Sequence, residues 1–234
     1  GYLWQGVGLL SKPGVRRYVL IPLLINFLLF SVLIFYAYQQ FDQWITALLD
    51  WLPGWLGFID WLLWLIFAVL ILLLVVFTFS FLANFIAAPF NAFLAAAVET
   101  YLTGSSSDLP QRTLVSEVLA GLSRELVKLG YYLPRALLLL LLSITPVLNM
   151  AAPPLWFLFG AWMMAIQYLD YPMDNHRIDF KQMRLQLRAR RLTPLGYGGG
   201  VLLATMIPLV NLIVMPAAVA GATACWLEEF QDKP

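Results

Sequence analysis

Charge and sulfur chemistry are both scarce in this chain. Only 12% of its 234 residues are charged, and it holds one cysteine, Cys225, and one histidine, His176. A lone cysteine excludes a disulfide framework, a cysteine metal cluster and a paired-thiol redox site. One histidine with no cysteine beside it leaves little for zinc, whose sites take three or four Cys, His or carboxylate ligands. A net charge of +1 gives no reason to invoke nucleic acid as a partner. There is no Walker-type phosphate loop, and no cofactor is expected. The chain opens at Gly1 without a methionine, as expected if a short leading segment is absent, and residues 1–10 lack the basic start and cleavage site of a signal peptide.

What the chain has instead is apolar length. Hydrophobic residues make up 62% of it, against about 45–50% in soluble domains, and the size suits a single membrane domain of a few helices. Residues 18–41 form an uncharged run flanked by Lys12, Arg16 and Arg17 and ending in Tyr36, Tyr38 and Trp44, an interfacial aromatic signature. This reads as a spanning helix. Residues 42–60 carry three aspartates, no Lys or Arg, and Trp44, Trp51 and Trp55 around Pro53-Gly54, and read as a compact interfacial loop. Residues 61–98 are uncharged and too long for one ~30 Å crossing. Pro89 is expected to break or kink that run, leaving a second span over 61–87 with Asn84, Asn91 and Glu99 at its inner end. Residues 103–108 read as a plain loop.

Two further apolar blocks, 136–169 and 195–227, each break at a Pro-x-x-Asn signal, Pro146 to Asn149 and Pro208 to Asn211. Cutting either block there leaves an arm too short to cross, about nine residues or roughly 13 Å before the first turn. The expected solution is a hairpin that enters the bilayer and returns, its turn buried in protein or lining a polar cavity. Residues 196–200 are expected to be the hinge into the second hairpin. Amphipathic helices are expected over 110–128 and 176–191. Lys and Arg number three before the first span, none in 42–60, four in 99–135 and six in 170–191. By the positive-inside rule those basic segments share the cytoplasmic side. The two blocks also form a weak internal repeat, as transporter folds do. The fold class is thus an all-α integral membrane protein: two long transmembrane helices, two half-penetrating (re-entrant) helical hairpins and amphipathic interfacial helices.

Chemistry has few places to sit. Gly14, Val15, Arg16 and Arg17 stand at the start of the first long helix, where free N–H groups, a close backbone approach and two guanidiniums outline an anion site. The same arginines also read as inside-positive flanking charges. Asn149 and Asn211 at the hairpin tips either donate to an anion at a helix N-terminus or cap their own turns. Arg124 and Arg135 read as cationic stations and Glu99 and Glu125 as their partners, or all four as interfacial charges. Asp170, Asp174, His176 and Asp179 cluster, but a hydrolase needs a water-activating geometry that nothing else supplies. Asp and Asn there are expected to cap a helix beginning near His176. Arg177, Lys181, Arg184, Arg188 and Arg191 form one stripe on that helix, facing either anionic headgroups or a pore mouth.

Pro-Gly-Val-Arg-Arg-Tyr-Val-Leu-Ile-Pro-Leu-Leu-Ile-Asn at 13–26 resembles the signature of the CysZ-type sulfate permeases. So do Ala-Ala-Pro-Phe-Asn at 87–91, Tyr-Leu-Asp-Tyr-Pro-Met-Asp-Asn-His-Arg at 168–177 and Ile-Pro-Leu-Val-Asn…Met-Pro-Ala-Ala over 207–218. The resemblance runs along nearly the whole chain. It implies sulfate import across the bacterial inner membrane for cysteine biosynthesis, by homo-oligomers of two long spanning helices and two half-penetrating hairpins. It also implies a sulfate site on Gly14, Val15, Arg16 and Arg17; Val15 stands where leucine is common, which is harmless if the contact is the backbone N–H. The expected function is channel-like or ion-coupled sulfate uptake by a multi-pass protein that is not an enzyme. Its expected partners are sulfate, the lipid bilayer and other copies of the chain. The rivals are a permease for sulfite, thiosulfate or molybdate, a non-transporting membrane scaffold, and a membrane-embedded enzyme built on the Asp/His cluster.

Overall fold

The computed structural model describes residues 1–50, 58–105, 114–146 and 148–231, and every regular element among them is helical. In chain order these are α1 (Tyr2–Leu10), α2 (Arg17–Leu49), α3 (Phe58–Thr103), α4 (Leu114–Ile144), a short 3-10 turn (Leu148–Ala151), α5 (Ala152–Asn175), α6 (Phe180–Ala189), α7 (Leu192–Thr205) and α8 (Pro208–Glu229). Among the described residues three stretches are long and apolar enough to cross a membrane: Arg17–Ala47, Gly121–Ile144 and Leu148–Asn175. This is an all-α membrane protein.

The chain forms two units, Leu20–Ala87 and Gly1–Val19 with Ala88–Pro234. In the first, α2 and α3 meet through aromatic rings near their connection. Phe41 stacks on Phe67 at 3.9 Å, and Trp64 meets Tyr38 and Phe41 at 5.2 and 5.1 Å. Phe27 and Phe35 on α2 stay well exposed, as apolar side chains facing lipid rather than a protein core do.

Several expected boundaries move. Of the expected 42–60 loop, residues 42–49 are helical, part of α2, residues 58–60 already belong to α3, and residues 51–57 lie outside the described residues. The backbone of α3 is helical through position 89, so the expected break there does not occur. In the 103–108 segment α3 ends at Thr103, and residues 106–113 lie outside the described residues. The 110–128 helix and the first arm of the 136–169 block are one element, α4, which runs straight through Pro134. Proline removes one N–H and strains the turn before it, and membrane helices tolerate this where another donor serves the freed carbonyls. The carbonyl that Pro134 frees is that of Gly130, four residues back; on the neighbouring carbonyl, Tyr131, Arg135 Nη1 donates at 2.7 Å. Both apolar blocks are interrupted at their Pro-x-x-Asn signals: α4 ends at Ile144 and α7 at Thr205, just before Pro146 and Pro208.

The second unit is cored by α5, α7 and α8, with α1 laid against α8. Buried there are Ala161, Ala165, Val201, Ala218 and Ala222, small residues that let helix backbones approach. Sequence reading treats residues 196–200 as a hinge; in the structure they lie inside α7, and Gly198 and Gly199 are buried. Their use is packing. A Cβ on Gly198 would lie 1.9 Å from the Ala161 carbonyl oxygen, and one on Gly6 would lie 2.0 Å from that of Ala217. Gly199 differs, since its Cβ would find nothing nearer than 3.8 Å. Gly198→Ala must therefore push α5 and α7 apart at a cost of about 1–3 kcal/mol, while Gly199→Ala, with room for its Cβ, should stabilise α7 by up to about 1 kcal/mol. Thermal unfolding of the two variants in one detergent checks this, and equal midpoints would remove the close-approach account.

Candidate functional site

The turn between α1 and α2 carries the expected anion residues. Gly14 has φ +86°, a left-handed conformation that glycine adopts without the cost a side chain brings. Its neighbour Val15 is fully buried and anchors the turn in the core, while Arg16 and Arg17 on either side of the α2 start are exposed. Of the backbone N–H groups expected to meet an anion, those of Val15 and Arg16 are already used. Val15 and Arg16 both donate to the Lys12 carbonyl, at 3.1 and 3.2 Å, and Tyr18 and Val19 to those of Val15 and Arg16. A tight start to the helix consumes part of its own orphan donors, and the exposed guanidiniums of Arg16 and Arg17 remain as the charged donors of the turn. Arg17 is steadied by Tyr18: its Nη2 donates to the tyrosine hydroxyl at 3.0 Å, and the guanidinium lies 4.8 Å from the ring centre. Tyr18 in turn stacks on Phe93 of α3, and Lys12 reaches the Tyr101 ring at 5.9 Å. The two arginines therefore stand beside the C-terminal part of α3.

That part of α3 is where other expected residues meet. Glu99 is buried and accepts both ways from His176 Nε2, at 2.8 and 3.0 Å, while the imidazole packs 4.3 Å from the Trp226 ring. Asn91 is buried and donates to the Tyr171 hydroxyl at 3.3 Å; Asn175 donates to the Ala92 carbonyl at 2.9 Å. The side chain of Asn84 lies outside the described residues. The end of α5 is thus sewn to α3 by side-chain bonds.

Arg124 is committed elsewhere. Its Nε and Nη2 each approach Asp170 Oδ1 at 2.8 Å, its Nη2 also donates to the Ile178 carbonyl, and its Nη1 lies 3.7 Å from Asp174. Lys128, which sequence reading passed over, joins the network. It is buried and bridges Asp170 Oδ2 at 3.0 Å and Glu125 at 2.7 Å, with Gln167 closing the ring. Arg124 is a strut here, not a free cationic station, and Glu125 serves Lys128. The signal for Lys128 was available: it lies one turn from Arg124 on an otherwise apolar face, with Asp170 the nearest acid to end an apolar run. Arg135 stands apart, stacked over the Tyr131 ring at 3.7 Å.

At the tips the capping expectation is not met. Asn149 and Asn211 are exposed, and their backbone N–H groups close turns onto the Thr145 and Ile207 carbonyls at 2.9 and 2.8 Å. The helix N-caps are Ala151 and Ile207, so neither asparagine side chain is a cap. The helix expected from His176 begins at Phe180 instead, capped by Asp179, whose side chain accepts from the Lys181 N–H at 2.8 Å. Between His176 and Phe180 the chain leaves α5, which ends at Asn175. Arg177 adopts φ +57°, and the Ile178 N–H reaches back to the Met173 carbonyl, a Schellman closure with arginine in the usual glycine place. Of the five-residue basic stripe only Lys181, Arg184 and Arg188 lie on α6; Arg177 precedes it and Arg191 caps α7. Asn26, inside the uncharged run of α2, was also passed over. It is buried, and its Oδ1 has no hydrogen-bond partner among the described residues.

Comparison with known proteins places these features in a lineage. The chain matches the family described as sulfate transporter CysZ/etoposide-induced protein 2.4 over residues 2–216. A protein of Pseudomonas paraeruginosa named sulfate transporter CysZ is 49% identical over 235 residues, covering 99% of this chain and 95% of the relative. Like-named proteins of Pseudomonas fluorescens and Pseudomonas syringae pv. tomato are each 50% identical, over 97% of this chain and 92% and 91% of theirs. On this match, this chain belongs to the sulfate transporter CysZ/etoposide-induced protein 2.4 family.

Proposed function

We propose that this chain is a sulfate permease of a bacterial inner membrane, a multi-pass protein without enzymatic activity that supplies sulfate for cysteine biosynthesis. The observation that carries this is the likeness at 49–50% identity, over nearly all of the chain, to proteins named sulfate transporters. The exposed Arg16–Arg17 pair at the α2 start supports it with groups suited to a tetrahedral dianion. Against an enzyme, His176 and Asp170 are each engaged in buried structural pairs. A dianion loses hydration at great cost, so the path must replace water with N–H groups and guanidiniums without trapping the ion. The test is uptake of radiolabelled sulfate by liposomes containing the purified protein. Uptake is expected, with sulfite, thiosulfate and molybdate as weaker competitors. No flux leaves the scaffold reading, and stronger competition by another oxyanion reassigns the substrate.

The proposed architecture keeps both helical pairs re-entrant. The 14 residues of α7 span roughly 21 Å, short of a ~30 Å core. In α4 the charges end at Arg135, and the nine uncharged residues to Ile144 reach only about 14 Å. Single cysteines at Asn149 and Asn211 should then resist an impermeant thiol reagent from the face opposite Arg135 and Asp170. Free labelling from that face would make the pairs full crossings. Half-depth hairpins need protein neighbours for their backbones, so the working unit is a homo-oligomer. Crosslinking in mild detergent should trap it, and monomers alone with full transport would refute it.

A further inference from the structure

We infer that α4 and α6 together hold a second tetrahedral-oxyanion site, built on Tyr131, Arg135 and Arg184 and separate from the Arg16–Arg17 turn. The Arg135 guanidinium lies 3.7 Å and that of Arg184 4.8 Å from the centre of the Tyr131 ring. The two guanidinium carbons are therefore at most ~8.5 Å apart, a gap that one oxyanion bridges with charge-assisted N–H···O bonds of about 2.8 Å to each. Arg188 on the next turn of α6 also neighbours the Tyr131 side chain. Among the described residues no carboxylate lies within ion-pair distance of Arg135 or Arg184, whereas Arg124, Lys128 and Arg190 each have one. Like charges that converge without a counter-ion repel one another, and an anion relieves this.

The setting is shaped, not merely basic. Tyr131 is buried, its hydroxyl accepts from Trp162 Nε1 at 3.2 Å, and its ring meets Phe180 edge-on at 5.9 Å. Arg184 also lies 5.0 Å from Phe180, and its Nε is buried with no hydrogen-bond partner among the described residues. Cation–π contacts, with the Arg135 Nη1 bond to the Tyr131 carbonyl, thus fix both guanidiniums while leaving other N–H groups unspent. Just beyond Arg135 the apolar run begins, with Leu137, Leu138 and Leu141 exposed, so the site lies where a membrane surface would meet the helix. The ligand chemistry is a sulfate or phosphate group, free in solution or on a lipid headgroup.

The unmodified protein suffices to test this. Arginine modification by phenylglyoxal is followed residue by residue by peptide mass spectrometry, in nanodiscs of phosphatidylcholine alone, in the same discs with sulfate against chloride at equal ionic strength, and in discs containing phosphatidylglycerol. Arg135 and Arg184 should be slowed at least threefold relative to exposed Arg177. Slowing by phosphatidylglycerol identifies a lipid phosphate as the occupant, and slowing by sulfate in neutral discs identifies the free anion. Slowing by neither, or equal slowing of Arg177, overturns the site.

Discussion

Asp170→Ala should cost this protein more stability than any other single polar substitution among its described residues. Asp170 is 3% exposed and faces two cations, Arg124 at 2.8 Å and Lys128 at 3.0 Å. Removing one partner of a buried ion pair leaves its counterpart uncompensated, at about 3–5 kcal/mol. Lys128 keeps Glu125 at 2.7 Å and Arg124 keeps the Ile178 carbonyl at 2.9 Å, which places the loss toward the lower end of that range. Asp170→Asn retains an acceptor for Arg124 but not the charge, so it should fall between wild type and alanine. Asp170→Leu combined with Lys128→Met should recover part of the loss, because it removes one of the two cations left without Asp170, while Arg124 keeps the Ile178 carbonyl and Asp174. Unfolding in detergent, by heat or denaturant, reads all three. A loss below about 1 kcal/mol for Asp170→Ala would mean that water or relaxation already screens these charges. The position matters beyond stability, since Asp170 ties α4 to the end of α5, the same end that carries His176 to Glu99 and Asn175 to the backbone of α3.

Hydropathy and proline placement made the class and the break points legible. Pro146 and Pro208 follow directly on helix ends, and the uncharged run from residue 18 is the core of α2. The misplaced boundaries share one cause: local signals were read as breaks where tertiary partners hold a helix together. Pro89 was expected to break or kink its run, yet the α3 backbone is helical through that position. The glycine run in α7 looked like a hinge because glycine costs a helix entropy; its missing Cβ instead admits the α5 backbone, a long-range fact that no local window contains. The pairings of Glu99 with His176 and Asp170 with Lys128 were invisible for the same reason, being 77 and 42 residues apart in sequence. The Arg16–Arg17 pair was visible because its setting is local. Only the state of its backbone N–H groups needed three dimensions.

Arg16→Ala/Arg17→Ala should abolish sulfate binding at the α2 start while leaving the fold intact. Both side chains are exposed, and surface substitutions of this kind stay within about 0.5 kcal/mol of wild-type stability. Each charge-assisted contact to a dianion contributes about 1.5–3 kcal/mol, so each single variant should lose more than about tenfold in affinity and the double more than about a hundredfold. The guanidiniums carry this because the Val15, Arg16, Tyr18 and Val19 N–H groups are spent on backbone carbonyls. Replacement by lysine therefore becomes informative: charge survives but the planar fork does not, and Arg17→Lys also loses its bond to the Tyr18 hydroxyl. Lysine variants should fall between wild type and alanine. Gly14→Ala keeps both charges, yet forces a side chain into φ +86° at roughly 1–2 kcal/mol, which should show as lower stability of the turn with a smaller loss of affinity. Titration of sulfate into well-folded detergent-solubilised protein separates these outcomes. If the double variant binds within threefold of wild type, the two arginines are orientation charges of the first span and the anion enters elsewhere.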